Sequence, residues 1–174
     1  YEVSTQGGRP KLYSVLPMEN ISINAKGQVL YHDCKGYEDK WRKHHTSPIT
    51  RDIWILDGGK YQKLTSFKGE DRNPVWAQDG QSFYYLSEQN GSFNVYHRNV
   101  ASGKDTQVTH NQKNPIRFLT SSQSGLLCYG YDGEIYTVKE GAEPQKVNIS
   151  ITTDNAEPSL VRQIRSNGAT EIAL

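Results

Sequence analysis

The sequence predicts an all-β protein built from repeated four-stranded antiparallel sheets. Three observations carry this. Tyr, Trp and β-branched residues gather in short runs bounded by Gly, Asn and Asp, as in Ile53-Trp54-Ile55-Leu56 and Ser82-Phe83-Tyr84-Tyr85-Leu86. That is the pattern of short strands between turns. No window sustains an apolar helical period over about eleven residues. Finally, the runs recur as a unit.

The clearest unit opens with Asn73-Pro74-Val75-Trp76-Ala77 and turns at Asp79-Gly80. Ser82 to Leu86 follows, then the turn Asn90-Gly91, then Phe93-Asn94-Val95-Tyr96-His97. A turn at Ser102-Gly103-Lys104 leads into Thr106-Gln107-Val108-Thr109. Asn-Gly is a strong short-hairpin signal, because both residues tolerate positive φ. The next unit runs Pro115 to Leu119, Leu126 to Tyr129, the turn Asp132-Gly133, Glu134 to Val138, and Gln145 to Val147. The preceding unit runs Asn20 to Asn24, the turn Lys26-Gly27, Gln28 to Tyr31, a long insertion at Gly36 to Thr50, Asp52 to Leu56, and Tyr61 to Thr65.

The third strands anchor at Ile53, Val95 and Ile135, which are 42 and 40 residues apart. A period of this size with four strands per unit is that of a β-propeller blade. The expected domain layout is a half-blade at 1–16, blades at about 17–67, 68–111 and 112–150, a connector at 151–168, and a first strand of a further blade at 169–174. Three blades are too few to close a ring. Tyr1 at the start and the apolar Ile172-Ala173-Leu174 at the end suggest a segment of something longer.

Composition narrows the function classes. The chain has 174 residues, a formal net charge of +1 and 34% apolar residues. Near-neutral charge argues against a general nucleic-acid binder, which needs a strongly basic face. No apolar run approaches the roughly 18 residues of a membrane helix. Residues 1–20 lack the apolar core of a secretory signal. Two cysteines, Cys34 and Cys128, make no disulfide scaffold and read as free buried thiols.

The units resemble the TolB/PD40-type propeller repeat. The match rests on Pro74-Val75-Trp76-Ala77-Gln78-Asp79-Gly80, which opens a blade, and Leu64-Thr65, which ends one. The insertion Lys35-Gly36-Tyr37-Glu38-Asp39-Lys40-Trp41-Arg42-Lys43-His44-His45-Thr46-Ser47 is similar to one in the first propeller of tricorn-type proteases. Asn167 to Leu174 is similar to that family's passage into its second propeller. The resemblance implies a large serine peptidase that degrades oligopeptides, whose propellers control passage of peptides to an enclosed site. Its catalytic serine and histidine lie downstream of the propellers, and no segment here matches that region.

The expected role is therefore a non-catalytic propeller segment, a peptide channel or filter and a domain-docking scaffold. The alternatives are a TolB-like interaction propeller unrelated to proteolysis and a propeller enzyme acting on glycans. No G-x-S-x-G elbow activates a serine. Asp79 and Asp132 precede Gly in turns, where Asp is expected for its backbone bonding. No cofactor or metal is expected: His44 and His45 are adjacent and point opposite ways in extended chain, with no H-x-x-x-H spacing.

The residues expected to contact peptide or a neighbouring domain are Arg42, His44, His45, Arg51, Arg72 and Arg117. The insertion is mildly basic, with Lys35, Lys40, Arg42, Lys43 and Arg51 against Glu38, Asp39 and Asp52. Such a loop attracts carboxylates at a channel mouth. It is equally readable as a solvated loop with internal ion pairs, pinned by Tyr37 and Trp41. Partners are expected to be peptides and other domains of the parent protein, with no nucleic acid and no membrane. The isolated chain is expected to self-associate through exposed sheet edges and faces.

Overall fold

The computed structural model describes residues 1–37 and 46–152. The described residues contain twelve strands and no helix. They form three four-stranded antiparallel sheets, the blades of a partial β-propeller. The first blade holds β1 (Met18–Ile23), β2 (Val29–Asp33), β3 (Ile53–Asp57) and β4 (Lys60–Lys63). The second holds β5 (Asp71–Trp76), β6 (Ser82–Ser87), β7 (Asn94–Asn99) and β8 (Asp105–Gln107). The third holds β9 (Arg117–Ser121), β10 (Leu127–Tyr131), β11 (Glu134–Val138) and β12 (Gln145–Lys146). Strand order follows the chain in each sheet, as short hairpins require. The first strands β1, β5 and β9 are innermost and contact one another across the blade boundaries.

Packing follows from side-chain alternation. Two apolar clusters sit between blades, and β6 serves both. Phe83 and Tyr85 face the first blade with Leu30, Ile53 and Ile55, while Tyr84 and Leu86 face the third with Ile116, Leu119 and Leu127. All six β6 residues are therefore buried, which explains why this run is apolar without alternating. Trp76 locks the first boundary: its indole N–H donates to Ser22 O at 3.1 Å and Gln28 O at 3.3 Å.

The sequence signatures have direct physical roles. Asp79 accepts from the Gln81 and Ser82 backbone N–H groups at 2.9 Å each and from the Ser82 hydroxyl at 2.8 Å, closing the β5–β6 turn. Asn24 does the same in the first blade through Lys26 and Gln28. The terminal Thr65 and Thr109 leave the ladder. Their hydroxyls accept the buried Ile53 and Val95 N–H groups at 3.0 and 2.9 Å. This is why β4 and β8 end earlier than the sequence pattern suggests. The strand β9 starts two residues later than expected, because Ile116 bonds back to Phe93 O and packs in the second boundary.

Residues 1–13 were expected to supply two strands and form one antiparallel bridge, in which Glu2 and Lys11 exchange 2.8 Å backbone bonds. The expected strand at 169–174 lies outside the described residues, as does all but the start of the connector. Cys34 and Cys128 are free, and both are half-buried rather than fully buried.

Replacing Thr109 by Val keeps shape but strands the Val95 N–H in the core. An unsatisfied buried donor costs about 1–3 kcal/mol. Urea unfolding of Thr109→Val should show a loss of that size, and Thr109→Ser, which keeps the acceptor, should lose less than half as much.

Candidate functional site

The site is built by one irregularity repeated in all three inner strands. In β1 the pairing with β2 shifts between Glu19 and Ser22, so Asn20 and Ile21 oppose Tyr31. In β5 it shifts between Arg72 and Val75, so Asn73 and Pro74 oppose Tyr85. In β9 Phe118 and Leu119 oppose Tyr129. These are β-bulges, which bend a strand and re-aim its side chains. Asn20, Asn73 and Phe118 are left-handed, with φ of 50°, 53° and 58°. Asn tolerates that conformation, whereas Phe is strained in it. The opposing Tyr31, Tyr85 and Tyr129 are all buried.

The residue before each bulge is therefore equivalent from blade to blade: Glu19, Arg72 and Arg117. Together with Asn20, His32, Arg51, Asn73 and Phe118 they line a cavity of about 80 Å³. Three guanidinium groups against one carboxylate make the lining formally +2, and the buried Glu70 carboxylate paired with Arg51 and Arg72 lowers the cluster to +1. Antiparallel pairing places the β2–β3 connection, which carries the insertion, at the same end of the blades as this cavity.

An ionic network organises the cavity. Glu70, fully buried, accepts from Arg51 Nη1 at 3.2 Å and Arg72 Nη1 at 3.5 Å. Arg51 Nε also approaches Glu19 at 3.5 Å. The Arg72 guanidinium lies 4.1 Å from the centre of the Phe93 ring, a cation–π contact. His32 Nδ1 accepts the Asn73 N–H at 3.1 Å, and its Nε2 faces Glu19 Oε2 at 3.2 Å. Burial pushes His32 down to about 4, helped by the Arg51 charge and opposed by Glu19 and Glu70. Partial burial pushes Glu19 up, but the His32 hydrogen bond and the Arg51 charge outweigh it and hold its carboxyl below the usual range.

The insertion is anchored by a second network. Lys35 Nζ donates to Thr50 O at 2.7 Å and Asp52 Oδ2 at 2.6 Å, and Lys63 reaches the same Asp52 oxygen at 2.8 Å. Asp33 takes the Asp52 N–H and the Trp54 indole N–H. At the base of the insertion Lys35 and Asp52 thus pair internally, while Tyr37, expected to pin the loop, is 90% exposed, and Trp41 lies outside the described residues.

Of the six residues expected to make contacts, the structure brings Arg51, Arg72 and Arg117 to one cavity. Arg51 and Arg72 are buried, at 6% and 7% exposure, where Glu70 compensates their charge. Arg42, His44 and His45 lie outside the described residues. Sequence reasoning missed Glu19, His32 and Glu70. Aligning the units on the second-strand tyrosines would have found Glu19 as the counterpart of Arg72 and Arg117. Among the described residues no cluster of His, Cys, Asp or Glu has metal-site geometry.

Solved structures share this fold. Tricorn protease superposes with a TM-score of 0.66 at 18% identity, over 80% of this chain and 13% of that one. A protein described as TolB from Agrobacterium tumefaciens gives 0.65 at 20% identity, over 82% of this chain and 53% of that one. The chain has the fold of the tricorn and TolB propellers. Puromycin hydrolase is a further neighbour, with a TM-score of 0.55 at 15% identity, over 74% of this chain and 21% of that one. No protein-family model matches the chain, and no curated protein sequence does. Relative to tricorn and TolB, the described blades are a part of a propeller, and the cavity sits among their inner strands.

Asp71, next to Arg72, is buried beside Ser87 and Thr65. Burial pushes its carboxyl up to about 7, against those two hydrogen bonds and with Asp52 and Asp105 adding to the rise. A raised folded-state value favours the protonated form. Its contribution to stability is full below the ordinary carboxylate value and is lost as pH rises to about 7. Asp71→Asn removes this loss. The urea midpoint of the variant should gain on the wild type steadily from pH 4 to pH 7 and stay level above that, and a constant difference would show that Asp71 ionises normally.

Proposed function

We propose that the chain serves as a non-catalytic propeller segment of a tricorn-like serine peptidase, a channel or filter for peptides and a docking scaffold for neighbouring domains. The observation that carries this is the convergence of Arg51, Arg72 and Arg117, which come from three different blades, on one cavity at the end that bears the insertion. A focused positive field at a narrow mouth raises the local concentration of anionic groups. Peptides supply such groups, and the likeness in fold to tricorn protease supports the peptide assignment. The insertion residues Arg42, His44 and His45 complete the contact set in this reading. The parent protein's peptidase activity belongs to the same proposal.

A second reading is favoured by the TolB likeness, whose TM-score of 0.65 is within 0.01 of the tricorn value of 0.66 and which covers a larger share of the neighbour. In it, the same face docks a folded protein, and no peptide passes. Fluorescence anisotropy with labelled oligopeptides separates the two. Under the channel reading the chain binds acidic peptides in a salt-sensitive manner, and Arg117→Gln or the pair Arg42→Ala and His44→Ala weakens binding at least threefold with an unchanged melting midpoint. An absence of peptide binding by the wild-type chain rejects the channel and leaves the docking propeller.

Self-association is also proposed. Phe118 and Ile135 on the third blade are 60% and 41% exposed and border a common groove, and exposed apolar faces favour association. Light scattering at micromolar concentration should give more than the monomer mass, and a monodisperse monomer would reject this part.

A further inference from the structure

His32 is a buried titratable group that the channel reading leaves unused. It is 2% exposed, and its ring stands between two inner strands. Nδ1 accepts the Asn73 N–H at 3.1 Å. Nε2 therefore carries the proton and donates to Glu19 Oε2 at 3.2 Å; Asn20 Nδ2, at 3.3 Å from the same nitrogen, is a second donor and accepts nothing from it. Asn20 and Asn73 are the left-handed bulge residues of adjacent blades. One imidazole thus ties the two irregular points that shape the cavity.

We propose that His32 is a proton-operated clasp, which holds the bulge of the second blade against the first while its ring is neutral and releases it on protonation, opening the cavity between Glu19, Arg72 and Arg117.

The release follows from donor and acceptor counting. An imidazolium donates from both nitrogens and accepts from neither. Its Nδ1–H would then confront the Asn73 N–H, two donors with no acceptor between them. Asn73 sits where the β5–β6 register breaks, and the acceptor of its N–H is the His32 ring rather than the β6 ladder. The ring would have to turn or the bulge move away. Charged groups face the ring from every packed element described: Glu19 from β1, Arg51 from the segment before β3, Glu70 from just before β5, Arg72 from β5, and Arg117 from β9 across the cavity. The carboxylates favour the cation, the guanidinium groups oppose it, and burial keeps the ring neutral until the solution is distinctly acidic.

Release is local. The rest of this blade boundary is held by Trp76 and by the apolar cluster of Leu30, Ile53, Ile55, Phe83 and Tyr85, none of which titrates with acid. The device goes beyond the proposed peptide role and does not depend on it, because neither measurement below involves a peptide.

The test is nitrogen-15 NMR on the chain between pH 3.5 and 7. The His32 ring should show its proton on Nε2 at pH 7 and a titration midpoint well below that of an exposed histidine. Exchange of the Asn73 amide, corrected for its intrinsic rate, should accelerate at least tenfold through that titration. The Val95 amide, bonded to Thr109 in the other cluster, should stay protected. His32→Asn retains an acceptor without a titrating ring, and its Asn73 protection should be flat across the range. The proposal is overturned by a proton on Nδ1 at pH 7, by unchanged Asn73 protection through the titration, or by loss at Asn73 and Val95 together. It is equally overturned if His32→Asn shows the same acid-induced loss. Should that variant not fold, the wild-type comparison of Asn73 with Val95 decides alone.

Discussion

Every other feature depends on the burial of one blade against the next. A four-stranded sheet has two faces and a small area, and water on either face leaves its aromatic residues unburied. The second blade solves this by being sandwiched, with Phe83 and Tyr85 packed one way and Tyr84 and Leu86 the other. Burying each such side chain contributes about 1.5–3 kcal/mol. Trp76 adds direction to this non-directional term, since its indole N–H finds acceptors only when β5 lies correctly on β1 and the turn after it.

That stacking brings the inner strands close enough for their irregularities to matter. A bulge on an isolated sheet edge bends the strand and does little else. Three equivalent bulges on adjacent strands bring the preceding side chains to a common cavity. Two of these are arginines and one is a glutamate, so the cavity is neither purely cationic nor neutral. Glu70 makes the arrangement tolerable, because buried guanidinium groups need a partner carboxylate. His32 fits the same logic as a neutral ring that supplies one acceptor and one donor in a place where a charge would be costly. Arg51 and Arg72 bring their charge to the cavity on buried structure.

The connection bearing the insertion follows from strand direction. The chain leaves β2 and enters β3 at the end where β1, β5 and β9 begin, which is the end that holds the cavity. Its base is clamped by Lys35, Asp33, Asp52 and Lys63. Partial burial opposes the charge on Lys35, but Asp52 and Asp33 hold its pKa above the ordinary lysine value.

Alternation, turn residues and the 40-residue spacing in the sequence determined by themselves the class of fold, the four strands per blade and their order. These are local properties: Asp79-Gly80 turns the chain through its own backbone bonds, and Thr109 reaches only the neighbouring strand. The bulges left a weak trace, two asparagines and a phenylalanine at one register position, with Phe118 masking the pattern. What only the tertiary structure decided is which charges meet. Glu19, Arg72 and Arg117 share one position of the blade repeat, but His32, Arg51 and Glu70 come from other positions, and no spacing rule relates these to the first three. Their convergence is set by how far one blade is shifted and rotated on the next, and that is fixed by the fit of buried aromatic rings, a summed property of contacts that no single segment encodes.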